Sequence, residues 1–228
     1  MKLLALDTAT EACSAALYVD GAVAERYAVP GRGHAERLLP MVDELLAEAG
    51  LGLAALDGLA FGRGPGAFTG VRIAVGVAQG LALGAGLPVV PVSDLAALAR
   101  GALDATGAAC AVPCLDARMG EVYWAEARAR ADGGVDLLRE GLARPEAVDP
   151  AAERFVGAGH GWSAYPELLA RFAARAVRVQ PELLPRAAWV ARLGALDLAA
   201  GRGLDPADAA PVYLRDDVAT RSARTPRP

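Results

Sequence analysis

Apolar positions along the chain fall into short runs and long periodic stretches that alternate. Runs at 2–7, 13–19, 22–29, 56–61 and 88–92 predict strands, with Asp20-Gly21 as a hairpin turn. Leu38, Val42, Leu45, Leu46 and Ala49 fall at i, i+4, i+7, i+8 and i+11, one face of an amphipathic helix that Gly50 stops. Pro40 inside that pattern predicts a kink or a late start. The stretch from Val71 to Ala85 differs in kind. Its only strongly polar side chains are Arg72 and Gln79, and Gly76, Gly80 and Gly84 recur at every fourth position. A helix without a polar face is buried or meets a partner. Each glycine costs a helix about 1 kcal/mol against alanine, so a stripe of them marks a place of close packing. Thr69 is the expected N-cap of this helix, and Ser93 or Asp94 caps another to about Leu103.

The second half repeats the order. Runs at 110–116, 121–130 and 135–141 predict three strands, and a short helix at 145–152 follows. A strand at 154–157, a helix at 161–174, a short strand at 176–179 and a helix between Pro185 and Gly201 complete it. Leu6-Asp7 ends the first strand of one half and Leu115-Asp116 that of the other. Two copies of one unit predict an α/β fold of two duplicated subdomains, each with a mixed central sheet flanked by helices, and a cleft between them. The expected boundaries are 1–105, 106–215 and a flexible basic tail at 216–228. This order of elements resembles the actin-like ATPase superfamily.

Composition narrows the classes. Of the 228 residues 54% are hydrophobic, which excludes general disorder, and a net charge of −4 gives no overall attraction to nucleic acid. Three cysteines, Cys13, Cys110 and Cys114, are no disulfide framework and lack the company of a metal site. The stretch 73–92 is long enough to cross a bilayer, but Pro88 divides it into a helix and a strand. It reads as soluble core, and the expected location is the cytoplasm with no membrane contact.

Candidate chemistry is sparse. Asp7 and Asp116, one from each half, would hold a magnesium ion across the cleft, with Thr8 adding a hydroxyl. The alternative, that both carboxylates merely cap turns, fits the spacing as well. The sequence GRGPGA at 62–67 partly matches a dinucleotide loop, but Pro65 removes an amide and no lysine follows, so a tight structural turn is favoured. GAGHG at 157–161, with Gly157 and Gly159, would seat an adenosine. Neither His34 nor His160 has a carboxylate cluster suited to zinc, and no serine stands in a GxSxG elbow.

Four motifs carry a closer resemblance: LALDTATEACS at 4–14, GRGPGAFTGVRI at 62–73, DARMGEVYW at 116–124 and PVYLR at 211–215. Together they span nearly the whole chain and resemble the TsaB family of bacterial tRNA threonylcarbamoyladenosine biosynthesis proteins. The resemblance implies an actin-like fold and a non-catalytic, activating role beside a paralogous transferase, TsaD, joined by the ATPase TsaE, with tRNA met through the complex. It implies no cofactor required by this chain, and at most weak ATP or ADP and magnesium in the cleft. The paralogue carries a metal-binding HxxxH, and by the order of elements Asp94 and Leu98 stand at those places here. It also implies pairing through the two helices at 35–49 and 69–85. The expected contact residues are Leu38, Leu39, Val42, Leu45, Val71, Arg72, Val75, Gln79 and Ala82, and the same surface would form a homodimer in isolation. The competing expectation is an actin-like ATPase or kinase working through Asp7 and Asp116.

Overall fold

The computed structural model describes residues 1–215; the tail at 216–228 lies outside the described residues. Sheet one comprises β1 (Lys2–Asp7), β2 (Cys13–Val19), β3 (Ala22–Ala28), β4 (Gly58–Gly62) and β5 (Val89–Val92), in the order β3-β2-β1-β4-β5. Strands β1, β2 and β3 are antiparallel; β4 and β5 run parallel to β1. Sheet two comprises β6 (Cys110–Arg118), β7 (Glu121–Ala129), β8 (Val135–Ala143), β9 (Phe155–Ala158) and β10 (Ala176–Gln180). Its order, β8-β7-β6-β9-β10, and its strand directions repeat those of sheet one. The expected α/β duplication is therefore present.

The helices are α1 (His34–Ala49), α2 (Phe68–Ala85), α3 (Asp94–Thr106), α4 (Gly161–Ala164), α5 (Pro166–Phe172) and α6 (Ala187–Ala199). Helix α1 runs unbroken through Pro40, which stands on its exposed side. The single helix expected at 161–174 is split into α4 and α5, because Pro166 cannot continue the ladder and starts its own helix. Thr69 lies inside α2 rather than capping it; Ala67 is the cap residue and provides no side-chain bond. Ser93 is a true cap, its hydroxyl accepting from Ala96 N–H.

The packing does not respect the expected boundary at 105. Helices α1 and α2 cover one face of sheet one through Leu38, Val42, Leu45, Val71, Ala74, Ala78 and Ala82. The other face, formed by Leu3, Ala5, Ala16, Ala60 and Val90, is covered by α6 from the second half. Helix α3 from the first half covers sheet two through Leu95, Leu98, Ala99 and Ala102. The two halves thus exchange a helix, and α3 and α6 meet in the middle layer. Gly101 of α3 has no room for a Cβ because the Trp189 ring of α6 lies against it. The outer face of sheet two is closed by Trp162, Leu168 and Phe172.

Candidate functional site

The glycine-rich turn after β4 is shaped by what it touches. A Cβ on Gly66 would overlap the Ala9 carbonyl, and one on Gly70 the Thr8 carbonyl. The contact is held by Ala67 N–H donating to Ala9 O at 2.7 Å and by the Thr8 hydroxyl donating to Gly70 O at 2.6 Å. The glycines are there for close backbone approach. The structural reading of GRGPGA is the one this geometry supports.

Helix α2 therefore starts from a fixed point and presents two unlike faces. Val71, Ala74, Val75, Ala78 and Ala82 face the sheet. Gly76, Gly80 and Gly84 face outward, and a Cβ on any of them would meet no atom within 4 Å. Leu83 beside them is 58% exposed and Phe68 50%. The two polar side chains are used within the chain. Arg72 Nε donates to the Tyr213 hydroxyl at 2.6 Å with its guanidinium 3.5 Å above the Phe68 ring, and Gln79 Nε2 donates to Pro206 O at 2.9 Å. Both partners belong to the C-terminal segment, which returns over the turn as Val212 N–H donates to Arg63 O at 2.7 Å.

These placements correct most of the expected contact residues. Leu38, Val42, Leu45, Val71, Val75 and Ala82 are buried in the chain's own core. Leu39 is exposed at 44%, Arg72 is exposed and Gln79 half-buried. The cause is physical: a helix apolar all round has no polar stripe to say which side turns inward, and here the side carrying Val71, Ala74, Val75, Ala78 and Ala82 packs on the sheet. Among the described residues α2 is the one helix long and apolar enough to cross a membrane, and here its inner face is packed on the sheet.

Between the halves lies a cleft of about 820 Å³, walled by Thr10, Glu11, His34 and Thr69 on one side and Asp116, Arg118 and His160 on the other. Asp116 Oδ1 accepts from the Tyr165 hydroxyl at 3.0 Å and from Arg118 N–H at 2.8 Å, and Arg118 Nη1 lies 3.1 Å from its Oδ2. His160 Nδ1 accepts the Asp116 backbone N–H at 3.0 Å, which leaves the proton of a neutral ring on Nε2, 3.9 Å from Glu11 Oε2 across the cleft. Burial lowers the His160 pKa, opposed by the charges of Glu11 and Asp116.

The structure does not bring Asp7 and Asp116 to one site. Asp7 and Thr8 are fully buried and form no part of the cleft wall. Gly157 and Gly159 are also explained by packing: a Cβ on Gly157 would press on the Trp162 indole, and one on Gly159 on the Cys114 carbonyl and Leu98. Asp94 is buried and accepts the Gly64 N–H, and Leu98 is core. Burial raises the thiol pKa values of Cys13, to about 11, and of Cys114, so neither is poised as a nucleophile. Among the described residues no hydroxyl or thiol is hydrogen-bonded to a histidine ring.

Comparison with known proteins agrees with this architecture. The family model described as "TsaD: tRNA N6-adenosine threonylcarbamoyltransferase" matches residues 27–220. The tRNA threonylcarbamoyladenosine biosynthesis protein TsaB of Escherichia coli is 43% identical over 225 residues, covering 96% of each chain. That of Haemophilus influenzae is 40% identical over 96% of this chain and 95% of its own. The chain belongs to the TsaB family. The structure of YeaZ from Pseudomonas aeruginosa superposes with a TM-score of 0.85 at 46% identity, over 93% of this chain and 99% of that one. A further Pseudomonas aeruginosa protein, described as similar to peptidase YeaZ, gives 0.87 at 47% identity, over 94% of this chain and 99% of that one. The TsaB motifs at 4–14, 62–73 and 211–215 meet at one place, where the first turn, the glycine turn and the returning C-terminal segment hold the start of α2. Sequence reasoning missed that Asp94 holds the glycine turn, accepting the Gly64 N–H from a buried position.

Proposed function

We propose that the chain acts in tRNA threonylcarbamoyladenosine biosynthesis as a non-enzymatic activating subunit that pairs with a TsaD-type transferase. The observation that carries this is the outward face of α2. It is apolar, stripped of Cβ atoms at Gly76, Gly80 and Gly84, and flanked by exposed Leu83, with its polar side chains engaged by the chain's own C-terminal segment. A surface of this kind admits a second helix at short backbone distance. The burial of Asp94 and Leu98, at the places where the paralogue has its metal-binding histidines, supports a role without catalysis. In this reading the chain needs no cofactor of its own, a TsaE-like ATPase joins the pair, and tRNA is met through the assembly. Without its partner, the same face closes a homodimer.

The test is a reconstituted tRNA threonylcarbamoylation reaction read by nucleoside mass spectrometry. It is run without the chain, with it, and with a Gly80→Glu, Leu83→Glu double variant. Modification is expected to require the chain and to fall to the background level with the variant, which also fails to co-purify with the transferase. Full modification without the chain, or full activity with the double variant, refutes the reading.

A further inference from the structure

Beneath the glycine turn lie two carboxyl groups that neither the cleft nor the partner face uses. Asp7 closes β1 and Asp94 opens α3, and both are fully buried. One oxygen of each is bound to backbone: Asp7 Oδ1 accepts from Ala9 N–H at 2.9 Å, and Asp94 Oδ2 from Gly64 N–H. Among the described residues Asp7 Oδ2 and Asp94 Oδ1 find no donor elsewhere, and the two carboxyl groups stand within hydrogen-bonding reach of each other. Gly62 makes the room, since a Cβ there would overlap Asp94 Oδ1.

Among the described residues no neighbouring cation is free to neutralise the pair. Arg63 faces Asp94 from the turn, but its guanidinium is held by Glu140 at 2.7 Å. His34 faces Asp7 from α1, and its Nε2 is bound to Thr10 O at 3.0 Å. Glu25 on β3 adds a like charge, and the thiol of Cys13 on β2 and the phenol of Tyr27 on β3 face Asp7 as neutral groups. Two ionised carboxylates cannot stand side by side in such an interior.

We propose that Asp7 and Asp94 share one proton, the O–H of one donating to the carboxylate of the other, and that Asp94 is thereby a positioning residue. It fastens the turn at 62–67, and with it the start of α2, to the end of β1. Burial acts in the same direction on both groups: Asp7 is pushed up to about 6 and Asp94 is raised further. The unfolded chain has released both protons by then. The stability this proton confers is therefore complete in acid and falls as pH rises through the titration of the folded pair. Nothing in this inference depends on the partner.

Infrared spectroscopy of the full chain at about pH 7 reads the shared proton as the C=O stretch of a protonated carboxylic acid. The band is expected in the wild type and lost in both Asp94→Asn and Asp7→Asn. Urea unfolding supplies a second readout. Above about pH 6 the wild-type unfolding constant rises by about tenfold per pH unit, the slope of one extra proton in the folded state. In Asp94→Asn, whose amide donates permanently to Asp7, that component is absent. A wild type without the band overturns the proposal, even if the variants fail to fold. Matching wild-type and Asp94→Asn pH profiles overturn it too.

Discussion

Replacing Gly76 and Gly80 by alanine should stabilise the isolated chain while weakening its association with a partner. Both residues are interior to α2, neither has a positive φ, and a Cβ on either meets nothing within 4 Å. The gain is then the helix-propensity difference alone, about 0.8–1 kcal/mol at each position and roughly 2 kcal/mol together. For a chain of this size that raises Tm by roughly 4–8 °C. In a helix–helix contact the same two methyl groups hold the backbones apart. Overpacking of this kind costs about 1–3 kcal/mol, so Kd for the transferase should rise roughly fivefold or more. Thermal melts and urea titrations of dilute protein read the first effect, and titration with the purified transferase reads the second. Loss of stability in the isolated chain would mean that the stripe packs against something already. Higher stability with unchanged affinity would mean that partners dock elsewhere.

Val75→Glu, a choice the helical pattern alone would suggest for breaking an interface, should instead unfold the chain. Val75 is 5% exposed in the core under α2, and a buried unpaired carboxylate costs several kcal/mol, so circular dichroism should show loss of structure. His160 should confer acid sensitivity. Its pKa is lowered in the fold by burial, so its contribution to stability is present above the unfolded value of 6.5 and is lost as pH falls. An NMR titration of the ring checks the shift, and His160→Gln should flatten that part of the stability profile.

The strands were legible because their apolar runs are short and bounded by turns: β1 and β2 have the residue limits that periodicity predicts. The duplication could be read from the Leu-Asp pairs that end β1 and mark the same point in β6. Two things could not be read. Which face of α2 turns outward was hidden because a helix apolar on all sides has no polar stripe to orient it. The orientation is set by the fixed start of the helix, where Ala67 N–H donates to Ala9 O and the Thr8 hydroxyl donates to Gly70 O. The role of Asp7 was hidden because a carboxylate at a strand end looks the same whether it meets solvent, a metal or another buried acid. Only the neighbour contributed by α3, eighty-odd residues later in the chain, distinguishes these.

The exchange of α3 and α6 sets an order of events on the ribosome. All five strands of sheet one have been made once Val92 emerges, and α1 and α2 are already available to cover one face. The opposite face waits for Ala187–Ala199, on the order of ten seconds at ordinary translation rates. The face covered early carries Leu4, Leu6, Leu17, Leu59 and Phe61, whereas the waiting face mixes Ala5, Ala16 and Ala60 with Leu3, Val90 and Val92. The chain thus exposes its less adhesive side during synthesis, and a stop codon anywhere before α6 would leave a nascent domain with one side permanently bare.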